Sequence, residues 1–272
     1  NRSPFYSIRT GEVSGYNDIG QVMFKTLVNK HNHKEVIEFF KKNIIKNFGP
    51  GSEYWKNLTL RKKYKKIKWK TAMKGPWIHQ NILETINNIK LKKTVTGGVK
   101  VNESDGYCAS LPFYFSNNSE QKTKKIIRTV ANGKVSEQFA MAKLKIIDLA
   151  DKGDKDPINS FLKKNLKNKY FSNVIENIKK VKKIRSKPHN VVVKTFGKAC
   201  SYPGTFNGAL HAIMTSKNFK TAVIKTIKAG GCNCSRANFV GAYFAALKGL
   251  KGIPQDWIKK TDPAKNIIKY IA

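Results

Sequence analysis

Apolar residues recur at three- and four-residue intervals along most of this chain, a spacing that puts them on one face of a helix and predicts helices rather than strands. Val36, Ile37, Phe39, Phe40, Ile44 and Phe48 make one such stripe, which Gly49-Pro50-Gly51 then stops. A second stripe is Phe206, Ala209, Leu210, Ile213 and Met214; a third, Phe219, Val223 and Ile227, ends at Gly230-Gly231. The next helix is expected to take Ser235 as its N-cap and to run through Val240, Tyr243, Phe244 and Leu247 to Gly249. Gly241, Ala242, Ala245 and Ala246 on that helix suggest close approach to neighbouring helices. Only Asn190 to Thr195 reads as a short β-like run, and Asp148 to Asp156, with Gly153 inside it and Pro157 after it, reads as a loop. The pattern therefore predicts an all-α fold, a single compact helical bundle over 1–272 with basic loop insertions near 55–75 and 160–188.

Composition supports a packed core and adds a charge problem. The 272 residues are 40% hydrophobic, with 15 Phe, 10 Tyr and 4 Trp, so disorder of the whole chain is not expected. Against 17 Asp plus Glu stand 53 Lys plus Arg, a formal net charge of +36. Self-repulsion on that scale opposes a compact free monomer and calls for a polyanionic partner. RNA, DNA, an anionic membrane surface or a very acidic protein would serve. Rich Lys, Asn and Ile usage also fits a codon bias, but the electrostatic consequence stands whatever its origin.

The cations are not evenly spread. From Tyr54 to Leu83 there is no acidic residue, while Lys56, Arg61, Lys62, Lys63, Lys65, Lys66, Lys68 and Lys70 crowd the stretch. Trp55, Tyr64 and Trp69 are interleaved, and cations beside aromatic rings have the makings of a nucleic-acid contact, since phosphate is neutralised while bases stack. A second basic region runs from Lys163 to Lys187 and includes Lys164, Lys179, Lys180, Lys182, Lys183 and Arg185, with Glu176 its only acid. Lysine outnumbers arginine and no known RNA-binding module is present, so contact through backbone phosphate and shape is expected rather than base readout. The plain alternative for both regions is a solvated face.

Four cysteines, Cys108, Cys200, Cys232 and Cys234, are too few and too oddly spaced for a disulfide framework, which points to a reducing compartment, the mitochondrial matrix or the cytoplasm. No apolar run approaches the ~18 residues that span a membrane. The chain opens on Asn1 with no charged-then-apolar leader, an opening that either a partial sequence or removal of a mitochondrial targeting piece would fit.

From Cys200 to Trp257 the sequence resembles the ADP-ribosylglycohydrolase family, most of all the branch of J-type crystallins and selenoprotein J. The residues that carry the resemblance are Cys200-Ser201-Tyr202-Pro203-Gly204-Thr205-Phe206, Gly208-Ala209-Leu210-His211, Gly230-Gly231 with the helix after it, and Gly252-Ile253-Pro254. Upstream, Ser3 to Phe24, Phe48 to Tyr54 and Gly75 to Trp77 look like the same branch. The resemblance implies a helical fold and, in active members, a paired magnesium site held by an early Asp-Asp pair and a late Gly-Asp-x-Asp-Ser/Thr motif. Here the early pair matches Asn17-Asp18 and the late one Cys232 and Cys234, with Ser235 kept, so three of four carboxylates are replaced. Soft thiols are poor magnesium ligands. The family's first segment, a Gly-Asp-Ala helix, has no counterpart before Asn1.

The expectation is thus a chain without catalytic residues or cofactor, acting as a structural, RNA-contacting component of a ribonucleoprotein among other proteins of a large assembly, of which a mitochondrial ribosome is one. The alternatives are a crystallin-like structural protein and a metal-dependent ADP-ribosyl hydrolase with altered ligands. Cys232 and Cys234, with Cys200 and His211, are a weak candidate for zinc and are otherwise small buried thiols; Cys200, at a position that carries selenocysteine in part of the branch, is a candidate redox residue. Asp18 is a relic ligand or, preferably, a helix cap, and His79 and His211 read as structural.

Overall fold

The computed structural model describes residues 6–29, 35–63, 73–117 and 119–270, and the side chains of 62 and 63 are not described. Helix dominates, as the periodicity predicts. Along the chain run β1 (Tyr6–Ser7), α1 (Gly15–Val28), α2 (Val36–Phe48), α3 (Glu53–Lys63), β2 (Met73–Lys74) and α4 (Gln80–Lys90). Then come α5 (Asp105–Asn117), α6 (Glu120–Val130), α7 (Lys134–Asp151), α8 (Pro157–Asn165) and α9 (Ser172–Lys183). The series closes with α10 (His189–Phe196), α11 (Gly204–Met214), α12 (Phe219–Lys228), α13 (Asn233–Lys248), α14 (Gln255–Lys260) and α15 (Asp262–Ile268). The chain divides into two compact units, described in turn: one is 1–101 with 108–133 and 259–272, the other 102–107 with 134–258.

The first unit packs α1 against α2, α2 against α3 and α4, and α4 against α6. Its core is the buried face that the sequence pattern marks: Val36, Phe40, Ile44 and Phe48 of α2, four residues apart, meet Ile19, Met23, Ile82, Ile86 and Ile126. Gly49 caps α2 in extended backbone, its N–H on Ile45 O at 2.8 Å, so the predicted stop is met. The described strands are two residues long, β1 pairing in parallel with β2 (Tyr6 with Met73, Ser7 with Lys74).

The second unit centres on α13, which packs on α7, α11 and α12. α11 is buried all round from Gly204 to Ile213, more than the one-sided stripe implied. Its Gly208 is where Arg236 of α13 crosses: a methyl group there would sit 2.8 Å from the Arg236 Cδ. Phe139, Phe206 and Phe239 run through this core, the first pair meeting edge to face with centroids 5.1 Å apart and the second stacked at 5.8 Å.

Four local expectations are corrected. Asn190 to Thr195 is helix, within α10: two of its valines, Val192 and Val193, are buried one after the other, and α10 docks along α11, so packing overrides β-branched propensity. Asp148–Asp151 finishes α7, and only the residues after it turn before Asp156 caps α8, accepting from the Asn159 N–H at 3.3 Å. In α12 the buried residues are Ala222, Val223 and Thr226, while Ile227 of the expected stripe is exposed. The region 160–188 is no loop insertion but mostly helix, α8 and α9 joined by a short 3-10 turn at Lys169–Phe171.

Candidate functional site

In the first unit, α1 starts one turn earlier than a cap at Asp18 would require. Ser14 is the N-cap, in extended backbone, and Asp18 is the fourth helical residue. Asn17 is exposed, and Asp18 is half-buried with both carboxylate oxygens engaged: Oδ1 accepts from Gln21 Nε2 at 3.2 Å and Oδ2 from the Tyr54 hydroxyl. Tyr54 is held by α3 and packs against Phe48, centroids 4.7 Å apart. Burial pushes the Asp18 carboxyl above its ordinary value against the opposing pull of the Tyr54 hydrogen bond, and burial with the neighbouring Asp18 pushes the Tyr54 phenol up. His79 precedes α4 and lies over Tyr16, centroids 4.1 Å apart.

In the second unit, Gly230 and Gly231 both take positive φ, +73° and +70°, and turn the chain into α13. The Cβ of any other residue at 231 would run into the Lys198 backbone, so glycine is required there. Cys232, not Ser235, is the N-cap, its N–H on Lys198 O at 2.8 Å. Ser235, the third helical residue, turns its Oγ back to Cys232, 3.0 Å from the carbonyl oxygen and 3.2 Å from Sγ. One residue on, the Arg236 guanidinium is fully buried; Nη2 donates to Gly230 O and, at 2.9 Å, to Asn233 Oδ1. Cys232 is half-buried, Cys234 exposed, Cys200 half-buried, and none of the four cysteines is in a disulfide.

Two buried polar clusters of this unit went unread in the sequence. Lys143 of α7 is fully buried, its ammonium donating to Ser104 Oγ and the Tyr202 hydroxyl, both at 3.0 Å, and lying 4.6 Å from the ring centres of Tyr107 and Tyr202. The available signal was a lone lysine on the helix face of Phe139 and Ile147. His211, read as structural, faces His189 with Nδ1 atoms 3.0 Å apart, while its Nε2 meets Arg185 O at 3.1 Å.

The fold has known company. A solved structure described as an ADP-ribosylglycohydrolase-related protein complex superposes with a TM-score of 0.59 over 93% of this chain and 77% of its own, at 12% identity, a likeness of fold alone. Crystallin J1A of Tripedalia cystophora is 27% identical over 98% of this chain and 80% of its own length, and Crystallin J1B of the same animal is 24% identical over the same shares. The profile of the family described as ADP-ribosylglycohydrolase matches residues 70–272. The chain belongs to the ADP-ribosylglycohydrolase family.

The family match covers the Cys232 corner and begins after Asn17-Asp18, which rest on the likeness to the crystallins. At the later corner the family member offers sulfur where a hard cation asks for oxygen, with a buried guanidinium beside it that repels a second positive charge. Among the described residues no group of three or more His, Cys, Asp or Glu side chains is arranged to hold a metal ion.

Of the first basic stretch, Tyr64, Lys65, Lys66, Lys68, Trp69 and Lys70 lie outside the described residues, as do the side chains of Lys62 and Lys63. Lys56 is exposed, but Arg61 lies flat on Trp77, 3.0 Å from the ring centre, and Trp55 is covered by Lys90 at 4.8 Å. These two are therefore occupied within the unit rather than presented. In the second stretch Lys163, Lys164, Lys179, Lys180, Lys182, Lys183 and Arg185 are all exposed. Glu176 pairs with Lys180 at 2.6 Å, and Lys182 Nζ reaches Asn159 Oδ1 at 2.6 Å, tying the end of α9 to the start of α8. No described helix is long and apolar enough to cross a membrane.

Proposed function

We propose that the chain is a non-hydrolysing member of its family, recruited as a structural, RNA-contacting component of a ribonucleoprotein. The observation that carries the reading is the α8–α9 region: nine cations from Lys163 to Arg185, Lys167 and Lys169 among them, stand in solvent, with Glu176 the one acid of the region, on a chain of net charge +36. A helix face so charged attracts a polyanion through phosphate contacts and counterion release, with little discrimination among bases. Loss of hydrolysis is supported by the chemistry of the late corner, thiols and a guanidinium in place of carboxylates, and by an Asp18 whose oxygens already accept two hydrogen bonds.

The test is binding to a structured RNA across a salt series. Affinity should fall steeply and linearly on logarithmic axes, and a salt-independent affinity would remove the electrostatic basis. Divalent-metal-dependent release of ADP-ribose from a modified protein would overturn the non-hydrolysing half of the reading. A second reading is favoured by the likeness to two crystallins over 98% of the chain: a structural protein that works without nucleic acid. Sedimentation of the nuclease-treated protein at high concentration separates them, since a soluble monomer with no RNA affinity selects the second.

A further inference from the structure

The loop from Leu91 to Lys100 holds three aliphatic side chains in water while its backbone is bound to the first unit. Leu91, Val95 and Val99 are 68%, 49% and 62% exposed, three of the ten large apolar residues that stand exposed among the described residues. Single exposed apolar residues are ordinary, but three within nine positions form a cluster that calls for a partner. Slack chain does not explain them. Thr96, Gly97 and Gly98 are buried, Thr96 Oγ1 donates to Thr129 O at 2.8 Å, and the Gly97 and Gly98 N–H groups bond Arg128 O at 3.1 Å and Val130 O at 3.0 Å. Neither glycine has room for a side chain: a Cβ at 97 would strike the Arg128 carbonyl, and one at 98 would come within 2.7 Å of Asn81 Oδ1. Asn88 Nδ2 donates to Thr96 O at 3.0 Å, and Glu84 Oε2 accepts from the Val99 N–H at 2.9 Å. A fixed backbone thus keeps the aliphatic side chains in solvent.

Cations stand among them. Lys92, Lys93 and Lys100 are exposed, no acidic residue lies between Glu84 and Glu103, and the Glu84 carboxylate is turned onto the loop's own amides. Lys92 follows α4 at φ +52°, its N–H on Ile89 O at 2.9 Å and the Lys93 N–H on Asn88 O at 3.0 Å; glycine is the usual residue in such a turn, and a lysine holds it at some cost. We infer that this loop is a docking surface for an anionic lipid bilayer: Leu91, Val95 and Val99 enter the headgroup region while Lys92, Lys93 and Lys100 bind lipid phosphate and carboxylate groups. An RNA strand would gain nothing from aliphatic side chains, which offer its bases no ring to stack on, and a second copy of the chain would set lysines against lysines. A bilayer also requires that backbone polar groups entering it be satisfied, and the N–H groups of Lys92, Lys93, Gly97, Gly98 and Val99 already are. Attachment of this kind needs no membrane-crossing helix. These residues are not those of the α8–α9 region, so this inference and the RNA reading can fail separately.

The test is co-flotation of the nuclease-treated protein with phosphatidylcholine vesicles that contain or lack phosphatidylserine, at low and at high salt. A chain of net charge +36 adsorbs to any anionic surface at low salt, so the high-salt arm, where exposed charges are screened, carries the decision. The expected result is binding to the phosphatidylserine vesicles that weakens with salt but persists. The triple change Leu91→Ser, Val95→Ser and Val99→Ser should abolish the persistent part, by on the order of tenfold for each side chain that enters the interface. All three positions are exposed, so the thermal midpoint and the RNA affinity of this variant should match those of the native chain. Changing Lys92, Lys93 and Lys100 to Gln should lower low-salt binding by about fivefold per lysine. Val95→Phe should strengthen binding at high salt, a gain that a misfolded variant cannot give. Equal flotation of the native chain and the triple serine variant, or a native chain that does not float at high salt, overturns the inference. So does a triple variant whose vesicle binding is intact while its RNA affinity falls, which would give the loop to RNA.

Discussion

His189 and His211 face each other through Nδ1 atoms 3.0 Å apart, and the Arg185 carbonyl on His211 Nε2 dictates which one carries the proton. A carbonyl only accepts, so His211 is protonated at Nε2, its Nδ1 accepts, and His189 donates from Nδ1. Protonating His211 further would set two N–H groups against each other, and protonating His189 would put its new N–H on Nε2, which is buried without a hydrogen-bond partner.

That pair makes the second unit sensitive to acid. Burial, then the His211 and Arg236 charges, hold His189 down at about 3, and burial holds His211 below its ordinary value. The unfolded chain, with histidines near 6.5, binds protons that the folded chain refuses. The stability is therefore fully present above pH ~6.5 and is lost as pH falls from there toward 3, at a limiting slope of roughly 1.4 kcal/mol per pH unit for one histidine. Urea midpoints at pH 7, 6, 5 and 4 should fall progressively, and His189→Gln should flatten the curve.

Lys143 tests whether the buried ammonium stabilises or merely persists. Lys143→Ala empties a filled site and should cost on the order of 3 kcal/mol. Lys143→Met keeps the volume and the contact with the rings and leaves Ser104 Oγ and the Tyr202 hydroxyl, 3.2 Å apart, to bond each other. The expected loss is under ~1.5 kcal/mol, because a buried charge replaced by an apolar isostere often costs little. Equal losses for the two variants in chemical denaturation would mean that the charge itself stabilises the fold.

Much of the architecture was legible because helical spacing and glycine stops are local signals, as α2 and its Gly49 cap show. Asn190 to Thr195 misled because three consecutive valines favour strands locally, whereas α11 decides their fate from outside the segment. Ser235 misled because any hydroxyl near a helix start can cap it, and the turn at Gly230-Gly231 set the cap three residues earlier, at Cys232. The cysteines of the site were visible in sequence, but Arg236 was not, since a single arginine in a helix gives no sign that it points inward. Trp55 and Arg61 looked presented to solvent only because their partners, Lys90 and Trp77, lie tens of residues or more than a turn away in the chain.

Asp18 should be a net burden on the fold at neutral pH. Its carboxyl is raised chiefly by burial, so the folded state binds its proton more tightly than the unfolded chain does. The contribution is fully present below the unfolded value of ~3.9 and is lost as pH rises through the higher folded value. Asp18→Asn keeps an oxygen for the Tyr54 hydroxyl and removes the charge, so it should raise the urea midpoint at pH 7, with the gain shrinking toward acid pH. Tyr54→Phe leaves the half-buried carboxylate without one donor and should cost about 1–2 kcal/mol at pH 7.

The α8–α9 face makes a quantitative demand on any RNA it binds. Each lysine that neutralises a phosphate contributes about 0.7 to the slope of log affinity against log salt for a single strand and about 0.9 for a duplex. Lys179, Lys180, Lys182 and Lys183 are exposed together at the end of α9, so changing all four to Gln should flatten the slope by roughly 2 to 4 units while leaving the thermal midpoint nearly unchanged. The same four changes placed on Lys220 and Lys228 of α12, Lys265 of α15 and Lys269 just after it remove equal charge elsewhere. If the two quadruple variants flatten the slope equally, binding follows net charge rather than a defined face, and the α8–α9 surface loses its claim to the contact.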